Sequence, residues 1–191
     1  MLRDLVVKNR SYRGFDETRR LTREELLELV DMTRYVASGV NLQPLKYYIA
    51  WEKETVDTIQ PLTNWAKALT NMTLPHPGKC PTAFIVICHD KSIAPNEESS
   101  LTELGAVAQT ILLGAVEKGL GGCMIGNFNP AVMKETLNLA DSLQPKLVLG
   151  IGKPDEEIRI VPVGPDGSTS YYRDEHDVHY VPKRELNDII I

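Results

Sequence analysis

The feature that most limits the possible fold is an almost wholly apolar segment from Leu104 to Val116. Small residues recur along it, and few of its positions are polar. A helix of this composition must be buried nearly all round. The preceding Ser100-Leu-Thr-Glu103 has the pattern of a capping box, and Gly119 is a natural C-terminal stop. We therefore predict a long central helix packed against other elements over most of its surface.

Short apolar segments predict the strands that this helix would pack against. Ala83–Cys88 is a continuous apolar run, which is typical of a central strand covered on both faces. Lys46–Trp51 is rich in aromatic and β-branched residues, and Cys123–Gly126 and Lys146–Ile151 are also predicted strands. Helices interspersed with a few strands indicate an α+β or mixed α/β fold.

Further elements follow from capping and breaker residues. Thr22-Arg-Glu-Glu25 is a capping box, so a helix is predicted from about Arg23 to near Ser38. The apolar end Ile189–Ile191 would be costly to expose and is predicted to pack against something. The other predictions are a helix over residues 54–72 interrupted at Pro61, a helix from Asn129 to about Leu139, and a loop over residues 153–167.

The bulk composition excludes several classes of protein. A length of 191 residues and 42% hydrophobic content fit a single domain, residues 1–191. A net charge of −5 argues against a general nucleic-acid or anionic-membrane surface. No uninterrupted apolar run approaches the roughly 20 residues that span a bilayer. The mixed charge of the N-terminus is unlike a signal peptide, so we expect a cytoplasmic protein.

The segment Arg10-Ser-Tyr-Arg13 is a candidate phosphate site. Two guanidinium groups lie three residues apart with a hydroxyl between them. Arginine suits phosphate because its planar fork donates two parallel, charge-assisted hydrogen bonds. A solvated basic turn is an equally weighted alternative on local grounds. Lys183-Arg184 is a second basic pair, of a kind that is most often solvated.

Two other segments combine exposed backbone with polar or small residues. Ala37–Pro44 contains the amides of Asn41 and Gln43, which could read the edge of a pyrimidine-like ring; a helix cap and turn is the alternative. Gly119–Gly126 has four glycines in eight residues, which would let a flat ligand approach the backbone. It lacks the dinucleotide-binding pattern, because it follows a helix and enters a strand. A helix stop and tight turn would explain part of it.

Taken together, these segments resemble the nitroreductase family of flavin-dependent oxidoreductases. That family has an Arg-Arg-Ser-x-Arg type signature, an Asn-x-Gln-Pro segment, an apolar central helix ending in Gly-Leu-Gly, and a C-terminal basic pair. The matching features occur in the same order over nearly the whole chain: Arg10-Ser-Tyr-Arg13, Asn41-Leu-Gln-Pro44, the helix from Glu103 to Val116 with Gly119-Leu-Gly121, and Lys183-Arg184.

The resemblance implies an α+β fold, with a central, mainly antiparallel sheet flanked by helices, and FMN bound between the subunits of an intertwined homodimer. It assigns a phosphate site, a segment reaching the flavin from the partner subunit, and a strand beside the ring. The phosphate site would be formed by Arg10, Ser11 and Arg13 with Lys183 or Arg184. The segment from the partner subunit would be Ser38, Gly39 and Asn41. The strand beside the ring would contribute Met124, Ile125, Gly126 and Asn127. The chain departs from the family at three positions. Many members have Arg where this chain has Asn9 and Trp where it has Leu45, and some have an acidic residue where it has Gly126.

The implied activity is transfer of electrons from NADH or NADPH to a small electron-poor acceptor, such as a nitro compound or quinone, by a ping-pong mechanism. Flavin carries its own redox chemistry, so we predict no indispensable catalytic acid, base or nucleophile. We also predict no metal site, since His176 and His179 lie in a polar stretch. The alternatives are another enzyme on the same fold, a flavin-storage protein, and a dimeric interaction module.

Overall fold

The computed structural model describes residues 1–191 and has the predicted α+β architecture. The α-helices are α1 Leu2–Lys8, α2 Arg23–Asp31, α3 Lys53–Ile59, α4 Leu101–Glu117 and α5 Pro130–Thr136. The strands are β1 Phe15–Asp16, β2 Leu45–Ala50, β3 Ala83–Asp90, β4 Gly121–Ile125, β5 Leu143–Pro154, β6 Ile158–Pro162, β7 Tyr172–Arg173 and β8 His179–Lys183.

The central sheet is antiparallel and is organised around β5. Strand β3 pairs with one edge of β5, β4 and β1 pair with its other edge, and β2 closes the order β1-β5-β3-β2. Every residue of β3 is buried, as its continuous apolar run predicted. A smaller sheet, β6-β8-β7, holds β8 parallel to β6 and antiparallel to β7.

The alternation of side chains along the strands divides the core into two layers. On one face of the sheet, Ile85 and Ile87 of β3 pack with Ile111 of α4. On the other face, Phe84 and Val86 pack in a second cluster that includes residues of α3 and α5. Both faces are therefore covered by helices, which explains why β3 is apolar throughout.

Helix α4 is less buried than its composition predicted. Leu101 is 53% exposed, and Gly105 and Ala106 are also exposed, so the prediction of burial nearly all round is wrong within one chain. The helical stretch Glu97–Glu117 is long and apolar enough to cross a membrane by length and composition alone, a test that core helices also pass. Its C-terminal half packs against the sheet, whereas its N-terminal half leaves an apolar face uncovered.

The predicted capping box at the start of α4 is also wrong. Ser100 makes no side-chain capping bond; its hydroxyl lies 2.7 Å from Nδ1 of the buried His89. Glu103 accepts a hydrogen bond from Ser38 Oγ at 2.6 Å. Tertiary partners have recruited both side chains of the motif. By contrast, the capping box of Thr22 and Glu25 forms as predicted.

Three other predictions need correction. The segment 54–72 is helical only to Ile59, followed by a short 3-10 turn, and α2 ends well before Ser38. Residues 153–167 contain β6, whose partner β8 lies far along the chain. The end Ile189–Ile191 is 63% or more exposed within one chain, so its packing against another surface stays a prediction.

The glycine-rich run has a structural role at its first positions. Gly119 has φ +73° and ends α4 as predicted. A Cβ on Gly122 would lie 2.7 Å from both Gly150 O and Leu112 Cδ2, so β4 approaches β5 and α4 too closely for any side chain. A Cβ on Gly126 would meet nothing within 4 Å. Gly119 likewise has no atom within 4 Å of an added Cβ, so the first and last glycines of the run border open space and the two between them are closely packed.

We expect Gly122→Ala to lower the free energy of unfolding by about 1–3 kcal/mol, because the added methyl overpacks a buried site between backbone and Leu112. Gly126→Ala is the matched control and should stay within about 0.5 kcal/mol of the parent. Urea unfolding measures both. Equal effects of the two substitutions would contradict this packing role.

Candidate functional site

The segment Arg10–Arg13 is held between α1 and the edge of β4. The backbone N–H of Tyr12 donates to Gly122 O at 3.1 Å, and its phenol donates to Lys8 O at 2.9 Å. Ser11 forms an isolated parallel bridge with Gly122. A Cβ on Gly121 would lie 2.5 Å from Tyr12 Cδ2, so the missing side chain at Gly121 lets the arginine segment lie against the central sheet.

The predicted phosphate residues line one pocket of about 250 Å³. The Nε atoms of Arg10 and Arg13 are buried without a hydrogen-bond partner. Each arginine uses a terminal nitrogen locally: Arg10 donates to Val6 O at 2.9 Å and Arg13 to Ser11 O at 3.1 Å. Unpartnered buried N–H groups of a cation are costly, and a bound anion would supply the missing acceptors. Of the C-terminal basic pair, Lys183 lines this pocket and Arg184 does not.

A buried ion pair supports the segment from behind. Glu156 and Arg173 form a salt bridge with side chains 3% and 1% exposed. The Glu156 carboxylate also accepts from the backbone N–H groups of Arg13 and Gly14, the latter at 3.1 Å. Arg173 donates onward to Asp177 at 2.8 Å. The network fixes the backbone of Arg13 to the start of the smaller sheet, β6-β8-β7.

Aromatic rings complete the wall of the pocket. The Arg13 guanidinium lies over the Tyr171 ring, 5.1 Å from its centroid. That ring stacks on His179 with centroids 5.2 Å apart. His179 is 1% exposed, whereas the side chain of His176 is 79% exposed, so the two histidines occupy different environments. The sequence did not identify Tyr171 or His179 as site residues.

Burial, together with the neighbouring positive charges of Arg13 and Arg173, lowers the pKa of His179 from 6.5 to about 4. The neutral ring accepts a hydrogen bond at Nδ1 from Arg173 Nε at 3.3 Å. Because folding depresses this pKa from 6.5, the unfolded chain binds more protons below that value. The contribution of His179 to stability is complete above pH 6.5 and is lost as the pH falls toward about 4.

A second pocket of about 230 Å³ adjoins the first, and Arg13 and Tyr171 line both. It contains the other predicted strand residues, Met124, Ile125, Gly126 and Asn127. Gly122 O faces Tyr12, and alternate residues of a strand direct their backbone groups to the same side. The backbone of Met124 therefore faces the same edge of β4, which pairs with no further strand. This edge supplies free backbone donors and acceptors beside the pocket.

The opposite wall of the second pocket comes from a segment that the sequence analysis assigned to a helix. Asn64, Trp65 and Lys67 line it. The N–H of Asn64 donates to Asn127 O at 2.9 Å, and Asn127 Nδ2 is buried without a partner. In the sequence, the only local sign that this segment is not helical is Pro61, which follows the end of α3.

The predicted ring-reading segment lies elsewhere in the chain. Ser38, Gly39 and Asn41 line neither pocket. Ser38 is bonded to Glu103 in the first turn of α4, whereas the arginine segment contacts Gly122 just beyond the other end of that helix. A helix of 17 residues is about 25 Å long. Within one chain, therefore, the structure does not bring these residues to the phosphate pocket.

The same segment contains unusual backbone conformations. Val40 has φ 45°, Asn41 φ 58° and Gln43 φ 52°. The left-handed region is acceptable for Asn but strained for the β-branched Val40, which is 91% exposed. The Gln43 side-chain amide donates to Asn41 Oδ1 at 3.0 Å. Strain of this kind concentrates at ligand and interface sites, so the segment is a candidate for such a site.

Comparison with known proteins identifies a family with this arrangement. The model of the Nitroreductase family matches residues 6–153. A nitroreductase family protein from Streptococcus pneumoniae TIGR4 superposes with a TM-score of 0.70 at 14% identity, covering 100% of this chain and 99% of that one. An FMN-dependent nitroreductase from Clostridium difficile R20291 gives a TM-score of 0.63 at 22% identity, covering 80% of this chain and 87% of that one. The NfrA1 nitroreductase from B. subtilis gives a TM-score of 0.66 at 23% identity, covering 82% of this chain and 67% of that one. These solved structures establish the shared fold.

We expect inorganic phosphate to raise the pKa of His179, because an anion at Arg13 offsets one of the positive charges that depress it. An NMR titration of the imidazole with and without phosphate measures the effect. The resonances of the exposed His176 are the internal control and should not respond. A His179 titration that phosphate leaves unchanged would contradict an anion site at Arg13.

Proposed function

Because the chain belongs to the nitroreductase family, whose model matches residues 6–153, we propose that it is an FMN-dependent oxidoreductase. It passes electrons from NADH or NADPH to a small aromatic or quinone-like acceptor in a ping-pong cycle. The observation that carries the proposal is the pair of buried, unpartnered arginine Nε atoms, in a pocket continuous with the free edge of β4.

The phosphate pocket fits the terminal phosphate of FMN. Arg10, Arg13 and Lys183 surround it with positive charge in a protein that is acidic overall. Ser11 adds a hydroxyl, and Glu156 holds the backbone of Arg13 in place without lining the pocket. Charge-assisted hydrogen bonds to phosphate are about twice as strong as neutral ones. No dinucleotide-binding pattern is present to hold a second nucleotide, which favours FMN over FAD.

The second pocket suits the ring system. Backbone groups at Met124 can hydrogen-bond a polar ring edge, and the exposed side of Gly126 leaves room for a flat molecule. Asn127 adds an amide after the end of β4, and Asn64 adds another from the facing wall. When bound, the flavin supplies the hydride and electron chemistry, and the protein supplies binding, orientation and electrostatics.

A homodimer would supply what one chain leaves incomplete. Ser38, Gly39 and Asn41 are too far from the phosphate pocket of their own chain but are exposed or half-buried for contact with a partner. Apolar surface remains uncovered on α1, at the N-terminal half of α4 and at the tail, where Leu2 is 68%, Leu101 53% and Ile190 63% exposed. Burial of this surface against a second copy would stabilise the assembly.

We expect Arg13→Ala to weaken FMN binding about ten- to hundredfold, since each charge-assisted bond contributes roughly 1.5–3 kcal/mol. Arg159→Ala, which removes an exposed arginine of β6 paired with Glu157, is the matched control and should leave affinity unchanged. Quenching of flavin fluorescence measures both dissociation constants.

Equal affinities of these two variants would contradict the assignment of Arg13. Mass spectrometry of the released cofactor tests FMN against FAD. Anaerobic bleaching of the bound flavin by NADH or NADPH then separates an oxidoreductase from a flavin-storage protein, because a storage protein would bind flavin without being reduced. Absence of flavin after reconstitution would leave only the interaction module.

A mixed-subunit experiment tests the shared site. We expect light scattering to give twice the mass of the 21.3 kDa chain. In a heterodimer of an Arg13→Ala chain and an Asn41→Ala chain, one site keeps both residues and the other loses both. If each flavin takes Arg13 from one chain and Asn41 from the other, half of the tight-binding capacity returns. A monomeric mass, or no recovery in the heterodimer, would refute the shared site.

A further inference from the structure

A further large pocket of the molecule is separate from the proposed flavin site. It has a volume of about 620 Å³ and lies between α3 and the loop that follows it. Trp65 is the one residue that lines both this pocket and the pocket beside β4. Small-molecule sites typically occupy about 300–1,000 Å³, so this pocket, here called the Trp65 pocket, has the size of a ligand site.

The walls of the Trp65 pocket suit an aromatic ring. Val56, Leu74 and Trp65 supply apolar surface, and Pro61, Pro75 and Pro81 add rigid apolar rings. These groups contact a flat ligand with little loss of side-chain freedom.

The Trp65 side chain is fixed before any ligand binds. Its Nε1–H donates to Thr63 Oγ1 at 2.8 Å, and its ring meets Phe15 edge-on at 6.4 Å. A Cβ on Gly150 would lie 2.7 Å from the ring, so the indole rests directly on the backbone of β5. A fixed aromatic wall reduces the ordering cost of binding.

One polar atom in this pocket lacks a partner. Gln60 Oε1 is buried and accepts no hydrogen bond. Its neighbour Thr63 is already engaged, because Thr63 Oγ1 accepts from Trp65 and donates to Gln60 O. An unsatisfied buried acceptor is costly, and a ligand N–H or O–H would satisfy it.

The charged groups at this pocket are engaged with the protein. Lys53 pairs with Asp57 at 2.5 Å, Glu17 accepts from the N–H of Cys80 at 2.7 Å, and Arg20 donates to Trp51 O at 3.0 Å. Two acidic and two basic side chains leave no net charge along the lining. The lining therefore has no net charge that would favour a charged ligand over a neutral one.

We propose that the Trp65 pocket binds an uncharged aromatic molecule that donates an N–H or O–H hydrogen bond to Gln60 Oε1. The inference is independent of the flavin assignment, since no predicted phosphate or ring residue lines this pocket. Trp65 is the structural link through which such a ligand would contact the pocket beside β4.

Phenol and anisole are matched probes, because both are a benzene ring with one oxygen substituent. Only phenol has an O–H that can donate a hydrogen bond. They are titrated into the purified protein carrying whatever cofactor it retains, and the indole N–H signals are followed by NMR. We expect Trp65 to shift and Trp51, which does not line the pocket, to stay unchanged. Phenol should bind about three- to tenfold more tightly than anisole, as one neutral hydrogen bond allows.

Two variants locate the binding. Gln60→Leu removes the acceptor and should make the two probes bind equally. Thr73→Trp places a large ring in the pocket from an exposed position, so the fold should survive and phenol binding should be lost. Equal binding of phenol and anisole to the parent protein would overturn the proposal. So would unchanged phenol binding in a folded Thr73→Trp protein, since the probe would then bind elsewhere.

Discussion

The site depends on one buried carboxylate. Glu156 lies where β5 gives way to the C-terminal sheet, and it accepts hydrogen bonds from the backbone of Arg13 and Gly14. Arg173 neutralises it with both side chains almost fully buried. Loss of Arg173 would leave the Glu156 charge buried and uncompensated, which typically costs about 3–5 kcal/mol. The interaction explains how a segment rich in cations is held in a fixed conformation near the surface.

This interaction also joins two parts of the chain that contribute different halves of the pocket. The residues matched by the family model, 6–153, include the arginine segment and β4. Tyr171, just before β7, and His179 and Lys183 of β8 lie beyond that match and line the same pocket. The positive charge required for an anion thus comes from both ends of the sequence.

Local patterns predicted the elements whose partners are also local or whose burial is complete. Strand β3 and the Thr22 capping box formed as expected, because apolar continuity and a short-range hydrogen bond determine them. The box at Ser100 failed because His89 and Ser38, distant in sequence, bind its side chains. Strand β6 was missed because its partner β8 gives no signal near it.

The candidate site divides in the same way. Arg10, Arg13 and Lys183 were identifiable by charge, and the glycine run drew attention to β4. Asn64 and Tyr171 carry no charge and no distinctive spacing, so only the fold reveals that they reach the pockets. The placement of Asn41 at the far end of α4 likewise depends on tertiary structure, since the local sequence around Asn41 does not show which end of α4 it lies near.

The position of β5 in the sequence has a consequence for how the protein is made. Three other strands pair directly with β5, and β1 near the N-terminus pairs with its last residues. The central sheet therefore cannot close during synthesis until Leu143–Pro154 has left the ribosome. Until then α4 and β3 expose apolar surface with no sheet to cover it, and non-local pairing of this kind slows folding. The nascent chain is accordingly most exposed to aggregation just before its longest strand appears.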